Sequence, residues 1–440
     1  MQNLLKAGAA VVDISPKKGI QLSGYPHYTR KNTGIHDPLY AGCIYLDNGS
    51  NRIAIVCMDF LTYSKKYVKE VRKKASSCTK LKPEQIMISF SHSHSSPRGS
   101  GRLDMEEIEK GNCLDENYLK QVEEKIVDII KHASCNTFNA KIGIEKGVCG
   151  KEKGIGGNRR DPDGISDPAV WTIGIKDNDD NWKACLVRYS LHPTVLHEDN
   201  TLVSADYPGY IRKYLKKTKL GMEFLFAQGL PGDQSSRYFR NSQNFIEAKR
   251  IGYAIGEEAS DVLDSMDFSS RIKILSVSQE LEIELKELPP IEKIKQAIEK
   301  AKIYHESLQK AGAPPIDIQN AWLNLLGHED TLAFGIKRQN GVKIEIVDEE
   351  LPVEIQIIGI GDARIVGIQG ELFAELGLEI EKKSPFEKTF VVGCANGVLP
   401  GYAYTEKAYR EGGYETGASL LTAKSGKQIV NAAIRLLKKT

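Results

Sequence analysis

The sequence predicts an α/β fold on three observations. Apolar, β-prone runs such as Ile86-Met87-Ile88-Ser89-Phe90 and Phe224-Leu225-Phe226-Ala227-Gln228 read as buried strands. Amphipathic stretches read as helices that cover them, above all Asp115 to His132 with Leu119, Val122, Ile126, Ile129 and Ile130 on one stripe. The two kinds of segment alternate along the chain, as strands layered with helices do.

The elements follow in order. Ala9 to Ile14 is a strand ending at Ser15-Pro16. Cys43 to Leu46 and Arg52 to Val56 are strands joined through Asn48-Gly49, a hairpin signal. Lys65 to Ser76 is a helix, and the Ile86 strand follows. Further strands are expected at Ala140 to Ile144, Ala169 to Ile173 and Ala184 to Tyr189. A helix starts near Tyr207-Pro208 with Asp206 as its N-cap, and another covers Asn244 to Asp264. Arg271 to Leu285 alternates as a strand does. Past Pro289-Pro290, helices over Ile291 to Ala311 and Ile318 to Leu326 form a helical insertion at about 289–330. A surface buttress is the expected role of that insertion, ahead of a lid. Strands return at Val342 to Val347, Val353 to Ile360, Ala363 to Val366 and Thr389 to Gly393. Gly370-Glu371 opens a helix to Lys383, Asn396 to Ser419 is a polar loop, and Lys427 to Leu437 is the closing helix. With no repeat or linker, the 440 residues read as a single domain, 1–440.

Charge and composition exclude several functions. Lys+Arg 60 against Asp+Glu 58 leaves a net +2, so no nucleic acid or other polyanion is implied as a partner. No apolar run is long enough to span a membrane. The start of the chain shows no signal-peptide apolar core, so a cytoplasmic protein is expected. The eight cysteines, Cys43, Cys57, Cys78, Cys113, Cys135, Cys149, Cys185 and Cys394, form no Cys-x-x-Cys pair. They read as free thiols of a reducing compartment. Gly154 to Asp161 is glycine-rich, but no helix follows, so it is not a dinucleotide site.

The chemistry concentrates in Ser91-His92-Ser93-His94-Ser95-Ser96-Pro97, at the mouth of the Ile86 strand. In an extended chain residues i and i+2 share a face, so His92 and His94 are expected to enter one space. Imidazole is the commonest metal ligand and titrates near neutral pH. His192, in Ser190-Leu191-His192-Pro193-Thr194, repeats the pattern of an imidazole ending an apolar strand.

Several blocks together resemble the neutral (alkaline, non-lysosomal) ceramidase family. Asp13-Ile14-Ser15-Pro16 with Leu22-Ser23-Gly24-Tyr25 is similar to the family's opening block. Ser91 to Pro97 is similar to its Thr-His-Thr-His-Ser-Gly-Pro, Asn158-Arg159 to its Asn-Arg-Ser, and His192-Pro193-Thr194 to its His-Pro-Thr. Gly232-Asp233-Gln234-Ser235 resembles its Gly-Asp-x-Ser-Pro-Asn, and the spacing of Tyr402 to Tyr414-Glu415 resembles its tyrosine block. The blocks occur in the family's order.

The resemblance implies large mixed β-sheets flanked by helices in one catalytic domain. It implies a Zn2+ site made by His92, His192, Glu371 and Tyr402. Read alone, Glu371 would be a first-turn carboxylate favouring a helix dipole, and Tyr404 rivals Tyr402. The implied activity is hydrolysis of an N-acyl amide by metal-activated water. In that scheme Ser235 orients the scissile group or attacks it, and the orienting role is favoured because no base is evident beside it. His94 relays a proton or holds the carbonyl oxygen, and Arg159 and Tyr414 hydrogen-bond the oxyanion. The expected partner is a small amide or N-acyl molecule, ceramide among them. An esterase or lactonase acting on a small polar substrate, or a catalytically silent binding homologue, are the competing readings. Two departures bear on the substrate. The sequence ends soon after the tyrosine block, so the family's C-terminal β-sandwich domain is expected to be absent. Ser236-Arg237 replaces Pro-Asn, and Arg240 adds a second positive charge, which suits a smaller, polar, anionic amide.

Overall fold

The computed structural model describes residues 4–25, 28–101, 114–342 and 344–440, so Cys113 lies outside the described residues. Eight strands form the larger sheet: β1 (Lys6–Asp13), β2 (Tyr40–Asp47), β3 (Arg52–Met58), β4 (Ile86–Phe90), β5 (Phe138–Val148), β6 (Ala169–Asp177), β7 (Trp182–Tyr189) and β8 (Glu223–Gln228). Their spatial order is β8-β7-β6-β5-β1-β2-β3-β4. The pairs β3–β4 and β7–β8 are parallel and the other neighbours antiparallel. A second sheet holds β9 (Ile274–Leu281), β10 (Val353–Ile360), β11 (Ala363–Ile368) and β12 (Thr389–Val392) in that order, parallel only at β11–β12.

The continuous apolar runs have a layered cause. Successive residues of a strand face opposite ways, so a strand covered on both sides must be apolar throughout. Ile44, Leu46, Ile53, Ile55, Ile173 and Leu186 pack against Ile274, Ile358, Ile365 and Phe390 of the second sheet. Trp171 stacks on Phe390 across this interface, with ring centroids 4.8 Å apart. The alternate residues face outward. Cys43, Tyr45, Val56 and Ile88 meet helices α1 (Lys65–Cys78) and α2 (Glu116–Cys135). Val187, Phe224 and Phe226 meet α3 (Tyr207–Thr218) and α4 (Phe245–Ser265). Helices α5 (Ile291–Lys310) and α6 (Pro315–Gln339) pack against each other, with Gly312 at φ 61° in the turn between them. Beyond the second sheet, Ile355, Ile357 and Val391 meet α7 (Ala374–Lys383) and α8 (Ala423–Leu437). The result is a helix–sheet–sheet–helix sandwich, the mixed-sheet α/β architecture the sequence implied.

Four local expectations change. Helix α6 does not stop near Leu326 but runs to Gln339. Gly327 continues it because a Cβ there would lie 3.1 Å from the Tyr414 carbonyl oxygen, so tertiary contact rather than helix-breaking sets the residue. The described residues among 342–347 form no strand. Ile344 donates its N–H to the Asp348 carboxylate at 3.1 Å and starts a single helical turn, Glu345–Asp348. Glu371 precedes its helix: with Gly370 at φ 71° the chain turns, and Glu371–Leu372 pairs in parallel with Tyr402–Ala403. The stretch from Asn396 to Ser419 carries that Tyr402–Ala403 strand and two short helices, Glu406–Glu411 and Tyr414–Gly417.

Candidate metal centre

The parallel pairs aim their C-terminal ends at one place. His92 and His94 follow β4, His192 follows β7, Ser235 follows β8, Glu371 follows β11 and Tyr402 lies beyond β12. Open α/β sheets collect ligands at such ends. Backbone hydrogen bonds tie the ends together: Gly229 N to Tyr189 O (2.9 Å), Gly393 N to Gly229 O (2.9 Å) and Cys394 N to Gly370 O (2.8 Å). Gln228 Nε2 donates to both Ser91 O (2.9 Å) and Leu191 O (3.0 Å), coupling the two histidine segments.

Three imidazoles meet here. Ring centroids lie 5.1 Å apart for His92–His94, 5.0 Å for His92–His192 and 5.6 Å for His94–His192. One nitrogen from each lies within 4.8 Å of the others, a spacing that a single ion can bridge. The convergence was expected, but the i, i+2 argument for it fails. His92 sits at φ 66°, in the left-handed region, so the chain is not extended there. Two bonds hold that conformation: His92 N to Phe60 O (2.9 Å) and Nδ1 to Leu61 O (2.8 Å). Gly24, at φ 110°, clears the space for His94, since a Cβ there would stand 2.5 Å from the ring. Arg30 Nη2 donates to His94 O at 2.6 Å and fixes the turn.

The protonation pattern decides what the cluster can hold. His192 Nδ1 faces Pro231 O at 2.6 Å, so Nδ1 carries the proton and Nε2 the lone pair. The 3.5 Å approach of Arg159 Nη1 to the same Nδ1 is therefore donor against donor and no hydrogen bond. Burial, with Arg159 nearby, pushes His192 down to about 4, so it is neutral at pH 7. His92, with Nδ1 on Leu61 O, likewise offers Nε2. Glu371 faces both: Oε1 is 3.4 Å from His92 Nε2 and Oε2 3.0 Å from His192 Nε2. His192 Nε2, Glu371 Oε2 and both ring nitrogens of His94 are buried and make no hydrogen bond among the described residues. Lone pairs facing one another without a proton between them leave a place that suits a cation. For His94, burial and then His92 and His192 hold the imidazole well below its ordinary value.

The remaining expected residues surround this group. Tyr402 lines the cavity, its ring 5.4 Å from the Arg159 guanidinium carbon and 6.0 Å from the Tyr414 ring. Burial and Glu371 raise its hydroxyl pKa above the ordinary value. Tyr404 does not compete: its hydroxyl donates to Leu421 O inside the second core, away from the cavity lining. Arg159 is held by Glu415 (Nε to Oε1, 2.8 Å), while its buried Nη2 makes no hydrogen bond to the protein. Ser235 pairs with Gly157 in a two-residue ladder, and its Oγ accepts from Arg237 N at 3.2 Å.

The site opens into a cavity of about 290 Å3. Its walls include Gln319, Trp322, Leu323 and Leu326, so α6 of the expected buttress lines the site. Sequence reading also passed over three supports. Glu415 holds both Arg159 and Arg160. Asp233 accepts from Asn158 Nδ2 (2.9 Å) and from Ala374 N at the start of α7 (2.8 Å). Tyr25 lies edge-on to His94, centroids 5.0 Å apart. All three lie inside recognised blocks, which was the available signal.

Comparison with solved structures assigns the architecture. The crystal structure of neutral ceramidase from Pseudomonas aeruginosa aligns over 100% of this chain and 75% of that one, with TM-score 0.73 and 18% identity. A ceramidase complexed with C2 aligns over 99% and 76%, with TM-score 0.74 and 16% identity. No curated protein sequence matches significantly. The fold is thus that of the neutral ceramidases. The family model described as "Neutral/alkaline non-lysosomal ceramidase, N-terminal" matches residues 5–235, and the chain belongs to that family.

Proposed function

We propose that this protein is a zinc-dependent amidohydrolase that cleaves the amide bond of an N-acyl substrate. The observation that carries the reading is the buried meeting of His92, His192 and Glu371, their lone-pair atoms turned toward one another, with His94 beside them. Nitrogen and carboxylate donors of this kind suit zinc. His92, His192 and Glu371, with Tyr402 beside them, would hold the ion. When bound, zinc supplies a Lewis acid for a carbonyl and lowers the pKa of a coordinated water from 15.7 to roughly 7.

The chain's own groups supply the rest. Arg159 Nη2, buried and unpaired within the protein, donates to the carbonyl oxygen as charge builds on it. The Tyr414 hydroxyl is the second donor. His94, with both nitrogens unpaired, takes a proton from the attacking water and returns one to the leaving amine. Ser235 orients the scissile group. No imidazole or carboxylate hydrogen-bonds its Oγ among the described residues, which supports orientation over nucleophilic attack. The apolar wall residues Leu326, Val398 and Leu399 offer burial for an acyl chain, and a relative complexed with C2 is in keeping with ceramide-like amides.

The test is metal analysis combined with turnover. Near-stoichiometric zinc is expected, lost in His192→Ala. Cleavage of a short-chain fluorescent ceramide or of N-acyl amines should stop on chelation and return with zinc. Cleavage indifferent to chelation, or a protein that never holds stoichiometric metal, overturns the proposal. Turnover of matched esters but of no amide would transfer the site to the esterase reading.

A further inference from the structure

The cavity that holds the metal centre also holds two guanidiniums without an acidic partner. Arg237 Nη1 donates to Asn320 Oδ1 at 3.0 Å, and Arg240 Nη1 to Thr194 O at 3.2 Å. Both are half-buried and both line the cavity with Ser235 and His94. Among the described residues neither makes an ion pair. Four of the protein's other enclosed arginines each meet a carboxylate: Arg72 meets Glu354, Arg159 meets Glu415, Arg188 meets Asp167 and Arg212 meets Asp59. Of the carboxylates near the pair, Glu198 faces His197 at 2.6 Å, Glu247 faces Arg250 at 2.7 Å, Glu415 faces Arg159 at 2.8 Å, and Asp206 accepts from Leu196 N at 3.0 Å and Tyr207 N at 2.6 Å.

Leaving a guanidinium enclosed and without a counter-charge is costly. Burial, and then the charge of Arg159, push Arg237 down to about 10. Burial likewise lowers Arg240. An anion entering the cavity would relieve both. Both residues have free N–H groups besides the one each has committed, so a planar anion can be taken by paired hydrogen bonds.

We propose that Arg237 and Arg240 form a subsite for an anionic group on the substrate, so that the molecule cleaved is an N-acyl amide whose amine portion carries a carboxylate. This rests on the amidase reading and specifies its substrate. Arg237 stands close to the reacting bond, since its own N–H donates to Ser235 Oγ at 3.2 Å, so the anion lies a short way from the amide. The apolar wall of Trp322, Leu323, Leu326 and Leu399 is left for the acyl chain. An N-acyl amino acid has this layout, and a neutral sphingoid amide does not.

The experiment uses the zinc-loaded full chain and three dodecanoyl amides of equal acyl length: the glycine conjugate, its neutral methyl ester and the taurine conjugate. A charge-assisted contact contributes about 1.5–3 kcal/mol, so the acid should exceed the ester in kcat/KM roughly 10- to 150-fold. That ratio should collapse toward one in Arg237→Gln and Arg240→Gln, which keep a polar side chain for Asn320 and Thr194. Arg237→Lys should recover only part of it, because an ammonium lacks the fork. The taurine conjugate separates a general anion site from one shaped for a carboxylate. Calorimetric binding of the ketone isosteres, with CH2 in place of the amide NH, as acid and as methyl ester, reports the subsite without turnover. Selective binding of the acid isostere with no cleavage of any amide would sustain the anion subsite and fell the amidase reading. Equal kcat/KM for acid and ester with equal binding of their isosteres, or a charge preference that survives in both glutamine variants, overturns the proposal.

Discussion

Glu415→Gln is the perturbation whose size the structure sets most directly. The Glu415 carboxylate accepts from Arg159 Nε at 2.8 Å and from Arg160 Nη1 at 2.7 Å. Side-chain exposure is 6% for Glu415, 7% for Arg159 and 17% for Arg160, so water screens little of the pair with Arg159. Burial would raise the Glu415 carboxyl, yet Arg159 and then Arg160 hold it below its ordinary value. Glutamine keeps one oxygen and turns an NH2 toward the other guanidinium, donor against donor. Removing one member of a buried pair costs about 3–5 kcal/mol. Arg160 retains Gly412 O at 2.8 Å and a contact to Glu411, so the loss falls mainly on Arg159, and about 3 kcal/mol is expected. Arg159 also loses the brace that aims Nη2, and a shift of about 1 Å at such a donor costs on the order of 10² in rate. Denaturant unfolding of wild type, Glu415→Gln, Arg159→Gln and the double variant gives the stability and its coupling, and kcat on the same proteins gives the aim. The double variant should be less destabilised than the sum of the singles. A Glu415→Gln protein that loses under about 1 kcal/mol and turns over normally would refute the argument that this pair holds the oxyanion donor.

Two further outcomes are expected. Ser235→Ala should lower kcat by roughly 10²–10³ with zinc content unchanged, because Ser235 orients the substrate and holds no metal; normal turnover removes it from the mechanism. Asp206 is buried at the N-terminus of α3, and burial, despite N–H donors from Leu196 and Tyr207, raises its carboxyl to about 7. The folded state then binds a proton that the unfolded state has released, so the stability contribution of Asp206 is largest below about pH 4 and falls as pH rises to 7. A shift of about three units corresponds to roughly 4 kcal/mol as an upper bound. The stability of wild type minus that of Asp206→Asn should decline across that window and level above it; a flat difference contradicts the burial argument.

Local chemistry was legible in the sequence, and long-range geometry was not. Strands β3, β4, β8 and β10 announce themselves because both faces are buried, and Asp206 and Asn244 start their helices where capping residues should. Helix α6 runs on past Leu326 through Gly327, where the backbone of Tyr414 and Gly417 stands close by, a tertiary contact that the sequence does not display. His92 and His94 were placed together by an argument about extended chain that φ 66° at His92 contradicts. Glu371 could be singled out only by resemblance. Its neighbours His92 and His192 are remote in sequence, and its register with Tyr402 is a parallel bridge that no periodicity encodes. Glu415 was visible as part of a block but not as the partner of two arginines.

A site made from loops needs a reason to be rigid, and the edge of the larger sheet supplies one. Strand β4, which delivers His92 and His94, is the last strand of that sheet, and an open edge there would leave N–H and C=O groups unpaired. The segment after β12 closes it. Phe90 N donates to Cys394 O (3.1 Å), Asn396 N to Ile88 O (2.7 Å) and Ile88 N to the Asn396 side-chain oxygen (2.9 Å). Asn396 Nδ2 reaches on to Gln356 Oε1 of β10 at 2.7 Å, joining the edge of one sheet to the middle of the other. Cys394 and Asn396 make this turn at φ 49° and 61°, conformations that cost an L residue energy and persist where surrounding bonds over-determine them. His92 adopts the same region on the facing side. The strained residues thus sit on both sides of the junction that brings the β4 histidines to Glu371. The same bonds that remove the exposed edge set the distance between the two halves of the metal centre.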